Sequence, residues 1–175
     1  MNTSCQQSLL WIGLGSNIGD RAAAIDDAIA GLDAIDGLDV EAQSDVWETA
    51  PVGDVDQDPF FNAVVRVKST RAPRTILQDC LHIEAAMGRV RTVDRRWGPR
   101  RIDLDMLLHS LLVIDEPGLQ LPHPRLAERA FVLAPFSKID PAVVHPVLGR
   151  TIDAMLEHEI ERHGPLEGRC VHVSR

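Results

Sequence analysis

The stretch RRWGPRRIDLDMLL, residues 95 to 108, sets four arginines beside two aspartates one residue apart. If the chain is extended after Arg101, a period of two sends Ile102, Leu104 and Met106 to one face. Asp103 and Asp105 then share the other, their Cα atoms roughly 6.6 Å apart at about 3.3 Å per residue. Two carboxylates that close repel each other unless a cation or an arginine lies between them. Paired hard oxygen donors suit Mg2+, which binds through one or two carboxylates and takes water and substrate phosphates as its other ligands. The alternative is a solvated strand face whose acids pair with neighbouring arginines. D-x-D spacing by itself favours neither.

The arginines tilt the balance towards an anion site. Between Arg89 and Arg101, six arginines stand against the single acid Asp94, a local charge of +5 in a chain whose net charge is −8. Guanidinium is a planar fork of donors that stays charged and matches phosphate oxygens. So small a basic island in an acidic protein attracts a small polyphosphate, whereas nucleic acid needs a broad basic face. Trp97 in the same segment either anchors the loop or stacks on a base.

Elements must hold these groups in place. Ser8 to Leu14 is a short apolar run that reads as a buried strand. After a possible Asp20 cap, Ile25, Ile29, Leu32 and Ile35 mark one helical face. Val40 to Trp47 reads as one strand, and Ala50 to Pro59 as a loop of turn formers whose acids, Asp54, Asp56 and Asp58, are solvated. Phe60 to Lys68 is a strand with Phe61, Ala63, Val65 and Val67 on one face and Phe60, Asn62 and Val64 on the other. A helix from Pro73 to Met87 turns Ile76, Leu77, Cys80, Leu81 and Ile83 inward and stops at Gly88. A short element near Phe131 and a helix from Thr151 to about His163 complete the chain. Helices interleaved with alternating strands predict an α+β sandwich on a mainly antiparallel sheet.

Composition bounds the class. The 175 residues fit one domain, residues 1–175, long enough to bury roughly two-thirds of the unfolded surface. The acidic charge argues against nucleic-acid and membrane partners. Cys5, Cys80 and Cys170 show no paired spacing, so neither disulfides nor zinc is expected, and the N-terminus has no targeting pattern. A cytoplasmic monomer is the expectation. The remaining histidines, His82, His109, His145, His158, His163 and His172, lack ligand spacing and read as surface or packing residues.

RWGPRRIDLDMLL (96–108) resembles the R-W-G-P-R-x-x-D-x-D signature of the 6-hydroxymethyl-7,8-dihydropterin pyrophosphokinase family. LGSNIGDR (14–21), DPFFNAVV (58–65), IEAAMGRVR (83–91) and LPHPRLAERAFVLAPFSKIDP (121–141) are similar to its other blocks, in the same order, so the resemblance covers most of residues 9 to 141. It implies a three-layer αβα, ferredoxin-like fold and transfer of pyrophosphate from ATP to a reduced pterin, with two Mg2+ ions held by Asp103 and Asp105. By the same resemblance Arg89, Arg91 and Arg100 act on the phosphates, and Glu84, Met106, His123 and Arg129 belong to the nucleotide side. Phe60 and Phe131 sandwich the pterin, read along its edge by Asn62, Thr49 and the backbone near Pro51 and Val52. Trp97 sits in a loop that closes over both substrates. Ala50, Leu119, Gln120 and a one-residue-longer arginine loop depart from the family pattern, and the tail from Glu157 to Arg175 matches no motif. Rival readings are another Mg-dependent phosphotransferase or phosphohydrolase, and a non-catalytic nucleotide-binding module.

Overall fold

Strand β1 (Ser8–Ser16) is the spine of the computed structural model, which describes residues 7–51, 57–89, 98–110 and 112–173. It pairs antiparallel with β4 (Phe60–Ser69) on one side, Ser8 opposite Ser69 through Ser16 opposite Phe61, and with β5 (Asp103–His109) on the other. β3 (Val46–Thr49) continues the sheet beyond β4, and β8 (Cys170–Val173) closes that edge, giving the order β5-β1-β4-β3-β8. β2 (Leu38–Gln43) pairs with the other end of β4. Every pairing in this sheet is antiparallel, as expected.

Strand alternation divides the interior into two layers. α1 (Arg21–Asp33) and α2 (Pro73–Ala86) cover one face. Ile25, Leu32, Ile76 and Cys80 pack there with Ile12, Leu14, Ala63, Val65, Val67 and Leu104. Asp20 caps α1 by accepting from the Ala23 amide, and Gly88, with φ +87°, takes the left-handed conformation that ends α2. α3 (Ala130–Ile139) and α4 (Ile152–His163) cover the opposite face with Leu133, Phe136, Ile152 and Met155 against Trp11, Val64 and Leu107. Trp11 stacks on Phe136 at 5.5 Å, and its Nε1 donates to Asp140 Oδ2 at 2.7 Å. Helices on both faces of an antiparallel sheet make the three-layer α+β sandwich that the resemblance implies.

Three local expectations need correction. Val40 to Trp47 is two strands, because the Ser44 hydroxyl accepts from the Val64 amide and donates to the Asp45 carbonyl, replacing ladder bonds where the chain steps out. The element near Phe131 is a full ten-residue helix, α3. Pro135 argues against a helix there, and six of its residues are buried, so no amphipathic stripe marks it. The tail carries a strand, β8, beyond the end of α4. β6 (Ile114–Glu116) and β7 (Leu119–Leu121) form a separate hairpin beside β5. Among the described residues no helix is long and apolar enough to cross a membrane.

Candidate active site

Ile102, Leu104 and Met106 are buried, as the period of two requires, and Asp103 and Asp105 project from the opposite face of β5. Both acids open into a cavity of about 1080 Å³. Asp103 lies between two guanidinium groups: Arg100 Nη1 donates to its Oδ2 at 2.6 Å, and Arg89 Nη1 donates to its Oδ1. Arg129 Nη1 donates to Asp105 Oδ2 at 3.2 Å. Acid–arginine pairing and a charged cavity are therefore one arrangement here. The pairs line a pocket, not a solvated face.

Each arginine is placed by the backbone around it. Arg89 follows Gly88 at the end of α2, its amide donating to the Glu84 carbonyl at 2.9 Å. Glu84, only 1% exposed, accepts through Oε1 from Arg89 Nη1 at 2.5 Å and from the Leu104 amide at 2.8 Å. A buried carboxylate needs such partners, and these place Glu84 behind Arg89, outside the described lining of the cavity. Arg100 is anchored by Asn17, whose Oδ1 accepts from the Arg100 amide at 2.8 Å and whose own amide donates to the Arg100 carbonyl at 3.1 Å. Asn17 Nδ2 also donates to Gln57 Oε1 at 3.0 Å and to the Asp58 carbonyl at 3.3 Å. Sequence reasoning gave this residue no role, yet it ties the arginine segment to the loop ahead of β4. Arg129 precedes α3, 5.6 Å over the Phe131 ring and 3.4 Å from His123 Nε2. His123 Nδ1 accepts from the Arg125 amide at 3.0 Å, and burial pushes its pKa below the usual 6.5, against the pull of the Asp105 carboxylate.

The aromatic side of the cavity lies across β1. Thr49, Phe60, Asn62 and Phe131 all line it. Asn62 is buried, and its Nδ2 donates to Thr49 Oγ1 at 2.8 Å. Between this group and Asp103 the floor is bare, because Gly15 pairs with Asn62 on one side and Asp103 on the other. A β-carbon at Gly15 would stand 3.4 Å from Asn62 Oδ1 and 3.9 Å from both Asp103 Cβ and Phe60 Cδ1. Pro51 follows the lining residues Thr49 and Ala50, half-buried. Val52, Arg91 and Trp97 lie outside the described residues. A further part of the wall is Leu77, Leu81 and Met106 with the β6–β7 hairpin from Asp115 to Gln120. Leu81 thus faces the cavity where an inward packing role was expected.

Residues 11–141 match the family model for 7,8-dihydro-6-hydroxymethylpterin-pyrophosphokinase (HPPK). The chain belongs to the HPPK family. It is 48% identical over 134 residues to the 2-amino-4-hydroxy-6-hydroxymethyldihydropteridine pyrophosphokinase of Methylorubrum extorquens, covering 77% of this chain and 84% of that one. The Bacillus subtilis protein of the same name is 43% identical over 132 residues, covering 75% and 78%. In fold, the chain is similar to a Plasmodium falciparum HPPK-DHPS structure with pterin and p-hydroxybenzoate, with a TM-score of 0.77 at 16% identity. That likeness covers 100% of this chain and 49% of the Plasmodium one, so the chain spans about half the length of that solved protein.

The HPPK match takes in every candidate site residue and ends at Pro141, leaving α4 and β8 outside it. Among the described residues no three histidine, cysteine or carboxylate groups converge as a self-sufficient metal cage. Two neighbouring carboxylates in an arginine-lined cavity are the donor set that suits Mg2+ completing its shell with water and phosphate. The residues present fit that ion.

Proposed function

We propose that the chain transfers pyrophosphate from ATP to the hydroxymethyl group of 6-hydroxymethyl-7,8-dihydropterin, releasing AMP, as a step of folate biosynthesis. One observation carries the reading: a single cavity joins a cluster of arginines and paired aspartates to a slot of Phe60, Asn62, Thr49 and Phe131, with only Gly15 between them. In this reading Arg89, Arg100 and Arg129, together with Arg91, hold the triphosphate, and His123, its Nδ1 taken by the Arg125 amide, donates from Nε2 beside it. Phe60 and Phe131 stack on the pterin faces, and Asn62 and Thr49 bond its polar edge. The pterin hydroxyl oxygen then forms a bond to the β-phosphorus while the bond from that phosphorus to the α-phosphate oxygen breaks. AMP leaves and the hydroxyl proton passes to solvent or a phosphate oxygen. Alignment and fixed charge supply most of the rate, since no side chain in the slot is an obvious general base.

Asp103 and Asp105 would hold Mg2+, two ions by the family resemblance, which when bound neutralises charge on the phosphates. Leu77, Leu81, Met106 and the β6–β7 hairpin form the part of the cavity left for the nucleoside, and Trp97 would cover the substrates from the loop. Glu84 acts through Arg89. The reading includes a cytoplasmic monomer, in keeping with an acidic chain whose cysteines among the described residues, Cys80 and Cys170, are free. A phosphohydrolase using the same carboxylates leaves the Phe60–Asn62 slot without a use. The deciding assay is AMP release from MgATP with and without 6-hydroxymethyl-7,8-dihydropterin. Pterin-dependent AMP is expected; ADP, or AMP formed regardless of pterin, overturns the reading.

A further inference from the structure

β8 lies outside the family match, at the opposite edge of the sheet from Asp103. Its register sets Cys170 opposite Thr49 and His172 opposite Trp47. Cys170, 3% exposed, packs with Trp47 of β3 and Ala134 of α3, while Leu156 of α4 and Leu166 close around them. β3 carries Thr49, which accepts from Asn62, and α3 carries Phe131 one turn before Ala134. The strand therefore packs against β3, which supplies the polar edge of the slot, and against α3, which supplies one of its two aromatic faces. It is also pinned. Arg169 Nη2 donates to Glu159 Oε1 at 2.8 Å, its Nη1 donates to the Gly164 carbonyl at 3.0 Å, and the Cys170 amide donates to the Leu166 carbonyl at 2.7 Å. Glu159 is 5% exposed, with His163 Nδ1 at 2.7 Å from its other oxygen, so a buried carboxylate of α4 is committed to holding the tail.

We propose that β8 is a positioning element for the pterin slot, setting the separation between the Thr49–Asn62 edge and Phe131. This rests on the pterin reading above. A flat ring between two aromatic faces tolerates little slack, since a radial gap of about 0.5–1 Å forfeits a quarter to a half of a contact's attraction. Binding linkage is reciprocal: whatever the strand contributes to pterin affinity, bound pterin returns in holding the strand.

The Cys170 thiol reports this linkage. Burial pushes its pKa up to about 12, so it reacts with a maleimide only when the strand opens. Labelling of Cys170 in the full chain is followed by peptide mass spectrometry with Mg2+ and a non-hydrolysable ATP analogue, with and without 6-hydroxymethyl-7,8-dihydropterin. The pterin should slow labelling about fivefold beyond the analogue alone. Arg169→Ala should speed labelling and raise the pterin KM about fivefold, with kcat and the analogue's Kd unchanged, and Arg169→Lys should recover part of the loss. An equal labelling rate with pterin bound, or a faster-labelled Arg169→Ala protein with the native pterin KM, overturns the inference and leaves the pyrophosphokinase reading standing. If Arg169→Ala does not fold, the labelling comparison on the native chain decides. Failure of the native chain to bind pterin, seen by fluorescence, overturns both.

Discussion

The Glu84 carboxylate accepts a hydrogen bond from the Leu104 amide at 2.8 Å, so a buried helix residue holds the one position of β5 that lies between Asp103 and Asp105. The same oxygen takes Arg89, which in turn donates to Asp103. Glu84→Ala leaves the buried Leu104 amide without an acceptor and takes from Arg89 one of its two carboxylate partners, a loss of about 3 kcal/mol. Glu84→Gln keeps an acceptor for Leu104 and should cost less. Urea unfolding and AMP release measured on both variants test this; an alanine variant as stable and active as the native chain removes Glu84 from any positioning role.

Asp103→Ala and Asp105→Ala should each lower turnover by about 10³-fold, the size of effect expected when one preorganised electrostatic stabiliser of developing charge is lost. Near-UV circular dichroism should remain native, because neither side chain is part of the apolar layers. An Asp103→Ala protein within tenfold of native turnover contradicts the assignment of these carboxylates to the cation.

Gly15→Ala places a methyl group between Asn62 Oδ1 and Asp103 Cβ, where the two substrates would meet. Turnover should fall about 10²-fold with ATP affinity held within about threefold, since misplacement of reacting groups by an ångström costs about that much. Gly13→Ala is the control: the three atoms nearest its β-carbon all belong to the Leu107 side chain, at 3.4 to 3.6 Å, away from Asn62 and Phe60. Equal effects of the two substitutions count against a meeting point over Gly15.

Acid should destabilise the fold through two buried histidines. Burial lowers the pKa of His109 and of His145 below 6.5, and His145 Nδ1 accepts from the Val147 and Leu148 amides at 3.3 and 3.2 Å, which only the neutral ring can do. Between the folded and unfolded pKa values the unfolded chain holds more protons. Their contribution is therefore complete above about pH 6.5 and is lost as pH falls below it, with a slope of up to about 1.4 kcal/mol per unit for each histidine. Urea midpoints at pH 7.5, 6.5 and 5.5 check this; a flat profile contradicts it.

Much of this architecture is legible in the sequence where side-chain period and burial coincide. Phe60 and Asn62 fall on one face of β4 and Ala63, Val65 and Val67 on the other, because one face is apolar from Phe61 to Val67 while the other carries Asn62, Arg66 and Lys68, and that contrast writes alternation into the chain. Where contacts come from far along the chain, that signal disappears. α3 is buried nearly all round and contains Pro135, so neither period nor propensity announces it. β8 is four residues long and exists through its pairing with β3. Asn17 reads as an ordinary turn residue until the fold brings Gln57, Asp58 and Arg100 to it. Glu84 looks like any helix acid, and only the arrival of the Leu104 amide makes it an interior residue.

β5 ends the sheet, and the outer side of such a strand presents unpaired amides and carbonyls that invite a strand from another molecule. Here Leu104 gives its outward amide to Glu84, and Leu107 takes the His123 amide on its carbonyl at 2.8 Å. The bonds that hang Glu84 and His123 beside the aspartates therefore also blunt an adhesive margin. Loosening them would do more than slow the chemistry: it would offer a template for self-association, and concentrated stocks of such variants should be the first to cloud.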